Sequence, residues 1–271
     1  MTTPSIKLLV IDAGHTRVKF ASCDCEEVNQ LPEVEHFAAP MIGDAMPWAE
    51  IINWFSESDE KLTAVVTGSN PKAVEAVLAN WPRDLPSPQQ LDRSTPLPIE
   101  VDVAEPNKVG VDRLLTAIAA NQLRGEKQTA FIVDSGTAVT VDAVNSKGVF
   151  LGGAILPGVR MGAQALHRYT DTLPEIDASK LFDQPPHAIG NQTTAAIESG
   201  LYWGHVGAVR ELLFRQRDRL TRIDKSKDRT PLVLLTGGAS PLLVPHFSTA
   251  QHLPHLALQG LARVALRRGK E

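Results

Sequence analysis

The stretch FIVDSGTAVTVDAV, residues 131–144, decides how the rest of the sequence is interpreted. An apolar run enters it, Asp134, Ser135, Gly136 and Thr137 interrupt it, and a second run rich in β-branched residues leaves it. Apolar, β-branched runs on both sides of a glycine turn are typical of a β-hairpin. The pattern therefore predicts two strands joined by a tight turn that carries a carboxylate and a hydroxyl.

A near copy of this hairpin lies in KLLVIDAGHTRVKFASC, residues 7–23, with Asp12, Gly14 and Thr16 at its turn. The glycine lets the chain reverse and expose N–H groups to an anion. An aspartate that caps its own turn explains one such motif. Two copies about half a chain apart instead predict a duplicated domain whose turns face one cleft. Such a cleft can hold ATP, although the sequence has no G-x-x-x-x-G-K-[ST] loop.

Length and charge limit the class of protein. A chain of 271 residues can form two medium domains, which we place at residues 1–113 and 114–271. The formal net charge of -4 argues against a nucleic-acid partner, because binding to phosphate backbones needs a basic face. We identify no secretory signal and no apolar run of about 18 residues that could span a membrane. The cytoplasm is therefore the expected compartment.

The segment PNKVGVDR, residues 106–113, opens a predicted helix over residues 114–122. Asp112 and Arg113 at a first helical turn can be a cap that compensates the helix dipole, with a surface partner for the arginine. They can also be functional: Asp112 would act as a general base, and Arg113 would orient an anionic substrate through its planar guanidinium. Gly110 would then permit close approach of the backbone. Both interpretations are open at this point.

Small residues mark two further regions. Thr236, Gly237 and Gly238 follow an apolar strand, an arrangement that can place backbone N–H groups beside a nucleotide. The segment GNQTTAAIESGLYWGHVGAVREL, residues 190–212, predicts a long helix with one unusually small face. A second helix can approach such a face closely, either within the chain or across a dimer two-fold. His205 on this helix is expected to be a packed or a surface histidine rather than one that binds a ligand.

The motifs DAGHTRVK, PNKVGVDR, VDSGTAVTVDAV, GGAILPG, GNQTTAAIESG and TGG follow one another over almost the whole chain. In this order and spacing the sequence resembles the type III pantothenate kinase family of the acetate and sugar kinase, Hsp70 and actin superfamily. The resemblance implies an α/β fold of two ribonuclease H-like domains, with duplicated mixed sheets flanked by helices around a nucleotide cleft. It also implies a homodimer that phosphorylates pantothenate to 4'-phosphopantothenate, the first step towards coenzyme A.

The resemblance assigns nucleotide and cation roles to the two turns. ATP would bind with Mg²⁺, and Asp12 matches the acid near the phosphates and this metal. Asp134 matches the acid associated with a monovalent cation, K⁺ or NH₄⁺. The other residues expected to contact the nucleotide are Gly14, His15, Thr16, Lys19, Gly136 and Thr137.

A second set of residues is implied for pantothenate. Asp112 matches the base that takes the proton from the pantothenate hydroxyl, which suits phosphoryl transfer because a carboxylate need only accept that proton. Thr193 matches a threonine that reaches a pantothenate bound mainly by the other subunit. The remaining expected pantothenate contacts are Val103, Gly110, Val111 and Arg113.

Two departures from the family pattern keep alternatives open. His15 replaces the asparagine of the usual D-x-G-N-T turn, and Val103-Ala104-Glu105-Pro106 stands where a tyrosine and an Asn-Pro are common. A catalytically weak or inactive relative that binds nucleotide as a regulator is therefore an alternative to the kinase. A sugar or acetate kinase is a third alternative, but PNKVGVDR followed by the VDSGT hairpin favours the pantothenate family.

Overall fold

The computed structural model of the chain describes residues 7–24, 30–56, 62–92, 94–224 and 230–268. The chain divides into two compact units: unit 1 comprises Met1–Leu123 and His255–Glu271, and unit 2 comprises Arg124–Pro254. The division differs from the predicted one at residue 113. The helix that begins at Val111 belongs wholly to unit 1, and the C-terminal helix returns to unit 1 to pack against it.

Unit 1 contains a five-stranded mixed sheet in the order β3-β2-β1-β4-β5. The central strand β1 pairs antiparallel with β2 and parallel with β4. The strands are β1 Lys7–Ala13, β2 Val18–Asp24, β3 Glu33–Ala38, β4 Leu62–Thr67 and β5 Gln89–Gln90. The helices of this unit are α1 Trp48–Asn53, α2 Pro71–Ala79, α3 Val111–Leu123 and α6 Leu256–Arg268.

The apolar run of β1 is continuous because both faces of its sheet are covered. Leu8 and Val10 point into one core, which they share with residues of α3 and α6. Leu9 and Ile11 point into a second core, which includes residues of α1 and α2. Alternating side chains of a strand face opposite sides, so a strand buried on both sides reads as an unbroken apolar run.

Unit 2 contains a second five-stranded mixed sheet, in the order β10-β9-β6-β7-β8. Its central strand β6 pairs antiparallel with β7 and parallel with β9. The strands are β6 Ala130–Ser135, β7 Ala138–Val144, β8 Phe150–Pro157, β9 Leu232–Thr236 and β10 Gln251–His252. The helices of this unit are α4 Val159–Arg168 and α5 Thr193–Asp224.

The two sheets have the same connectivity, which confirms the predicted α/β class and the duplication. In each unit the central strand carries an acid at its carboxyl end. Asp12 pairs in register with Lys19 and with Thr67, whereas Asp134 pairs with Thr140 and Thr236. The predicted cleft between the domains stays a prediction.

None of the helices in the described ranges combines the length and the apolar character needed to cross a membrane.

Candidate active site

The first predicted turn begins where β1 ends. Asp12 is buried, with 7% of its surface exposed, and its Oδ2 atom lies 3.3 Å from Nζ of Lys19 on the paired strand. The N–H of Gly14 donates to the carbonyl of Arg17 at 3.0 Å, which closes the turn. The turn thus leaves His15 exposed and Thr16 half-buried at its tip. An acid and a cation are thereby held together next to an exposed loop.

Asp112 lies in the first turn of α3 and belongs to the same group of charges. Its Oδ1 atom accepts a hydrogen bond from the backbone N–H of Arg113 at 3.0 Å. Burial raises the pKa of the Asp112 carboxyl, and the negative charge of Asp12 raises it further. The Arg113 backbone N–H and the charges of Lys19 and Arg113 oppose this shift in pKa. The structure therefore brings together three of the predicted residues, Asp12, Lys19 and Asp112.

Gly110 has a steric reason to be a glycine. A Cβ atom at this position would collide with Oδ1 of Asp112 and would lie 3.5 Å from its Cγ. The buried side chain of Val111 anchors the start of α3 in the core of unit 1. The glycine and the apolar anchor together fix where the Asp112 carboxylate lies.

The segment before α3 contains an ion pair that involves Glu105, one of the residues that depart from the family pattern. Glu105 forms an ion pair with Lys108, with 2.6 Å between Oε1 and Nζ, and both side chains are largely exposed. The negative charge of Glu105 is therefore offset locally, although exposed pairs of this kind add little stability. Val103 is half-buried in the same segment.

Ser69 is a neighbour of the first turn that the sequence motifs did not single out. Its Oγ atom lies 3.2 Å from Nδ1 of His15. A second repeat in the sequence could have identified it. β4 ends in Thr67 and is followed by Gly68-Ser69, as β9 ends in Thr236 and is followed by Gly237-Gly238. In both units this glycine lies next to the carboxyl end of the central strand.

The second predicted turn is held by its neighbours in unit 2. Gly136 donates its N–H to Ala138 at 3.0 Å, and Gly158 donates to the carbonyl of Thr137 at 3.1 Å. Gly237 has a φ of +87°, which favours glycine, and any Cβ there would collide with Oδ1 of Asp134. The glycine therefore leaves the space that the Asp134 carboxylate occupies.

His205 supports the same turn from α5. Its Nε2 atom lies 3.1 Å from the buried hydroxyl of Ser135. Burial lowers the pKa of His205 to about 4, so the imidazole is neutral at neutral pH. Of the two positions expected for this histidine, packed or on the surface, the structure shows the packed one, since only 6% of its surface is accessible.

Thr193 is the first residue of α5 and is exposed. Asn191 and Ala195, on either side of it in sequence, line a hollow of about 1050 Å³. Among the described contacts of Thr193, none joins it to the turn at residues 134–137. The role of Thr193 stays a prediction.

The duplicated sheets, each with an acid at the end of the central strand and a glycine beside it, define an α/β protein with an internal duplication. Two solved structures have similar folds. A Baf family protein from Campylobacter jejuni covers 97% of this chain and 100% of its own, with a TM-score of 0.59 and 15% identity. Component A of the (R)-2-hydroxyglutaryl-CoA dehydratase from Acidaminococcus fermentans aligns with a TM-score of 0.50 and 14% identity. The alignment covers 98% of this chain and 100% of the other.

The chain belongs to the type III pantothenate kinase family, whose sequence model matches residues 8–215. A type III pantothenate kinase of Gluconobacter oxydans is 34% identical, over 96% of this chain and 93% of the relative. A type III pantothenate kinase of Cereibacter sphaeroides is 31% identical, over 95% of this chain and 96% of the relative. The family resemblance predicted from the motifs is confirmed.

Proposed function

We propose that this protein transfers the γ-phosphoryl group of ATP to the hydroxyl of pantothenate and so makes 4'-phosphopantothenate, the first step of coenzyme A biosynthesis. Family membership supports the reaction. The observation that carries the proposal is the position of Asp112, a partly buried carboxylate with a raised pKa next to Asp12 and Lys19. A group of this kind is suited to take a proton from a hydroxyl that attacks phosphorus.

Asp112 is the proposed general base. A base works best when its pKa lies near the working pH, and burial moves the pKa of this carboxyl upwards, in that direction. The backbone N–H of Arg113 holds the carboxylate in one orientation. The guanidinium of Arg113 would pair with the carboxylate of pantothenate, and Val103, Gly110 and Val111 would complete the contacts on this side.

The nucleotide is assigned to the two turns. Lys19 and Thr16 would contact phosphate oxygens, with His15 and the backbone of Gly14 next to them. Gly136 and Thr137 would serve the same purpose in unit 2. Glycine turns suit this task because their N–H groups point towards an anion without a side chain in the way.

Asp12 fits the requirements of a magnesium site. Among the described residues there is no cluster of three or more metal-binding side chains. Mg²⁺ does not need one in kinases, where one or two carboxylates, substrate phosphates and water complete its shell. When bound, the ion would neutralise charge on the phosphates. Asp134, whose carboxylate borders Gly237, is the proposed ligand of K⁺ or NH₄⁺.

The proposed assembly is a homodimer in which Thr193 of one copy reaches the pantothenate of the other. The face of α5 that bears Gly200, Gly204 and Gly207 supports this proposal. An added Cβ at any of these three would meet nothing within 4 Å, so a second helix could approach the backbone there. We expect Gly204→Glu to give monomers by light scattering while the melting of the subunit is unchanged. A dimer that survives this charge would contradict the proposed contact.

The test of the reaction is a coupled assay with MgATP, K⁺ and pantothenate. Asp112→Asn should lower kcat by about 10²- to 10⁴-fold, the usual contribution of general base catalysis. Asp102→Asn is the matched control, because it removes the same charge from an exposed residue of the preceding segment. Normal turnover by Asp112→Asn would contradict the role of Asp112. Omission of K⁺ or NH₄⁺ should lower activity, and this loss should be absent in Asp134→Asn.

The alternative is a relative that binds nucleotide without catalysis, which the changes at His15 and Val103 favour. Calorimetry distinguishes the two functions. ATP binding without pantothenate binding and without turnover would favour the regulator, whereas turnover that depends on pantothenate favours the kinase. A panel of sugars and acetate in the same assay tests the remaining alternative.

A further inference from the structure

Ser69 and His15 form a contact between two separate loops of unit 1. The Oγ atom of Ser69, in the loop after β4, lies 3.2 Å from Nδ1 of His15, in the hairpin turn after β1. Because β1 and β4 are parallel neighbours, both loops leave the sheet at the carboxyl ends of their strands. Ligands of open α/β sheets bind at this edge. The contact therefore lies where a nucleotide phosphate would approach.

The position of Ser69 is fixed by its neighbours in the chain. Gly68 lies so close to Ala13 that an added Cβ would stand 2.8 Å from the Ala13 side chain, and the N–H of Asn70 donates to the Ala13 carbonyl at 3.2 Å. Asn70 also caps α2 by accepting from the N–H of Ala73. The serine is thus anchored on both sides, and its hydroxyl faces an exposed imidazole.

The contact has a chemical consequence, because a neutral imidazole carries one proton on either of its two nitrogens. If the Ser69 hydroxyl donates to Nδ1, the proton of His15 is on Nε2, and Nε2 can donate to an anion. If Nδ1 donates to the serine, Nε2 carries a lone pair and would repel a phosphate oxygen. Within the described residues, the imidazole of His15 has a hydrogen-bond contact at Nδ1, to Ser69, and none at Nε2. Nε2 can therefore bind a ligand.

We propose that Ser69 is a positioning residue that holds His15 in the Nε2–H tautomer, so that this N–H donates to a phosphate oxygen of the nucleotide. The inference rests on the proposed function, since it needs a nucleotide at the first turn. It explains how an imidazole can serve at a position where the family pattern has an asparagine. The amide of asparagine always has a donor, whereas histidine has one at Nε2 only in the correct tautomer. A Ser69 hydroxyl that donates to Nδ1 would supply that selection.

The first measurement is the tautomer itself, in the free protein. Histidine labelled with ¹⁵N gives distinct resonances for protonated and unprotonated ring nitrogens, and loss of a signal in His15→Asn identifies His15 among the eight histidines. We expect Nε2 to be protonated in the wild type and the two tautomers to mix in Ser69→Ala. Ser69→Thr, which keeps the hydroxyl, should restore the wild-type pattern. A wild type protonated on Nδ1, or a Ser69→Ala pattern like the wild type, would overturn the proposal.

The second measurement is the Kd of a non-hydrolysable ATP analogue with Mg²⁺, by calorimetry. Ser69→Ala should weaken binding by about three- to tenfold, the factor that corresponds to one hydrogen bond of ordinary net strength. In the His15→Asn background the same change should have no effect, because asparagine needs no tautomer. Ser56→Ala, an exposed hydroxyl in a loop of the same unit, is the control and should bind as the wild type does.

The two proposals fail in different ways. A protein that binds no ATP analogue refutes the proposed function, and with it the phosphate contact of His15. A protein that binds the analogue equally well with and without Ser69 refutes only the positioning role. An equal loss of affinity in the wild-type and His15→Asn backgrounds would also refute it, because Ser69 would then act without the histidine.

Discussion

Gly110→Ala tests the position of the Asp112 carboxylate without changing its charge or its ability to accept a proton. The new Cβ would collide with Oδ1 of Asp112 and would lie 3.9 Å from Cδ of Arg113. The carboxylate is the free end of its side chain, so it would rotate away and lose the 3.0 Å hydrogen bond from the Arg113 N–H. The charge, the burial and the helix remain. Only the orientation of the Asp112 carboxylate changes.

The expected magnitude follows from that lost bond. A hydrogen bond to a charged group contributes about 1.5–3 kcal/mol, which corresponds to a decrease in kcat/KM of about 10- to 100-fold. A base misplaced by ~1 Å costs a similar factor. The backbone at Gly110 is not in the left-handed region, so alanine adds no strain there. We therefore expect the free energy of unfolding to change by less than about 1 kcal/mol.

Steady-state kinetics at saturating ATP, together with urea unfolding of the same samples, measure both quantities. The double variant with Asp112→Asn is the matched comparison, because Gly110→Ala should cost little once the carboxylate is gone. The reasoning is refuted if Gly110→Ala keeps the wild-type kcat/KM. It is also refuted if the change lowers activity by the same factor in both backgrounds, since the glycine would then act independently of Asp112.

Three further changes test the electrostatics and packing. Asp112→Asn should raise the melting temperature at pH 7, because the raised pKa of Asp112 means that its ionised carboxyl is unfavourable in the folded protein. This gain in stability should shrink as the pH falls through the pKa of Asp112 in the folded protein. It should vanish below about 3.9, the pKa of an aspartate in an unfolded chain. His205→Gln should make the free energy of unfolding less dependent on pH between 6.5 and 4. Over this range the wild type loses at most about 3 kcal/mol of stability, because the buried imidazole must take up a proton. Urea unfolding across this pH range measures the difference. Gly260→Ala should lower the free energy of unfolding by about 1–3 kcal/mol, because the new Cβ would collide with the Leu115 carbonyl. Gly204→Ala is the control, since a Cβ there meets nothing within 4 Å. Equal melting curves for the two variants would contradict this prediction.

The duplicated fold could be predicted because its signal is local. The two acid-bearing hairpins lie within short stretches, and their apolar runs, glycines and acids are all visible in the sequence. The acid of each turn, Asp12 or Asp134, occupies the carboxyl end of its central strand as expected. Asp112 could be placed at the start of a helix for the same reason, since its neighbours in the chain determine that position.

Features that depend on distant residues could not be predicted. The compact units divide after Leu123 rather than at residue 113, and α6 packs on α3 after the chain has passed through all of unit 2. Ser69 could not be assigned to the site from sequence, because its contact with His15 requires β1 and β4 to be parallel neighbours. The contact of His205 with Ser135 spans 70 residues and depends in the same way on the packing of α5.

The return of α6 to unit 1 imposes an order of events on synthesis by the ribosome. Leu258, Leu261 and Val264 belong to the same core as Leu8 and Val10 of β1. The residues of unit 2 are contiguous, so this unit can fold as soon as they have emerged. Until residues 256–268 have left the exit tunnel, that core lacks the side chains of α6, although α3 already contributes to it. β1 is thus synthesised before unit 2 but enclosed completely only after it, which prolongs the time for which apolar side chains of unit 1 can aggregate.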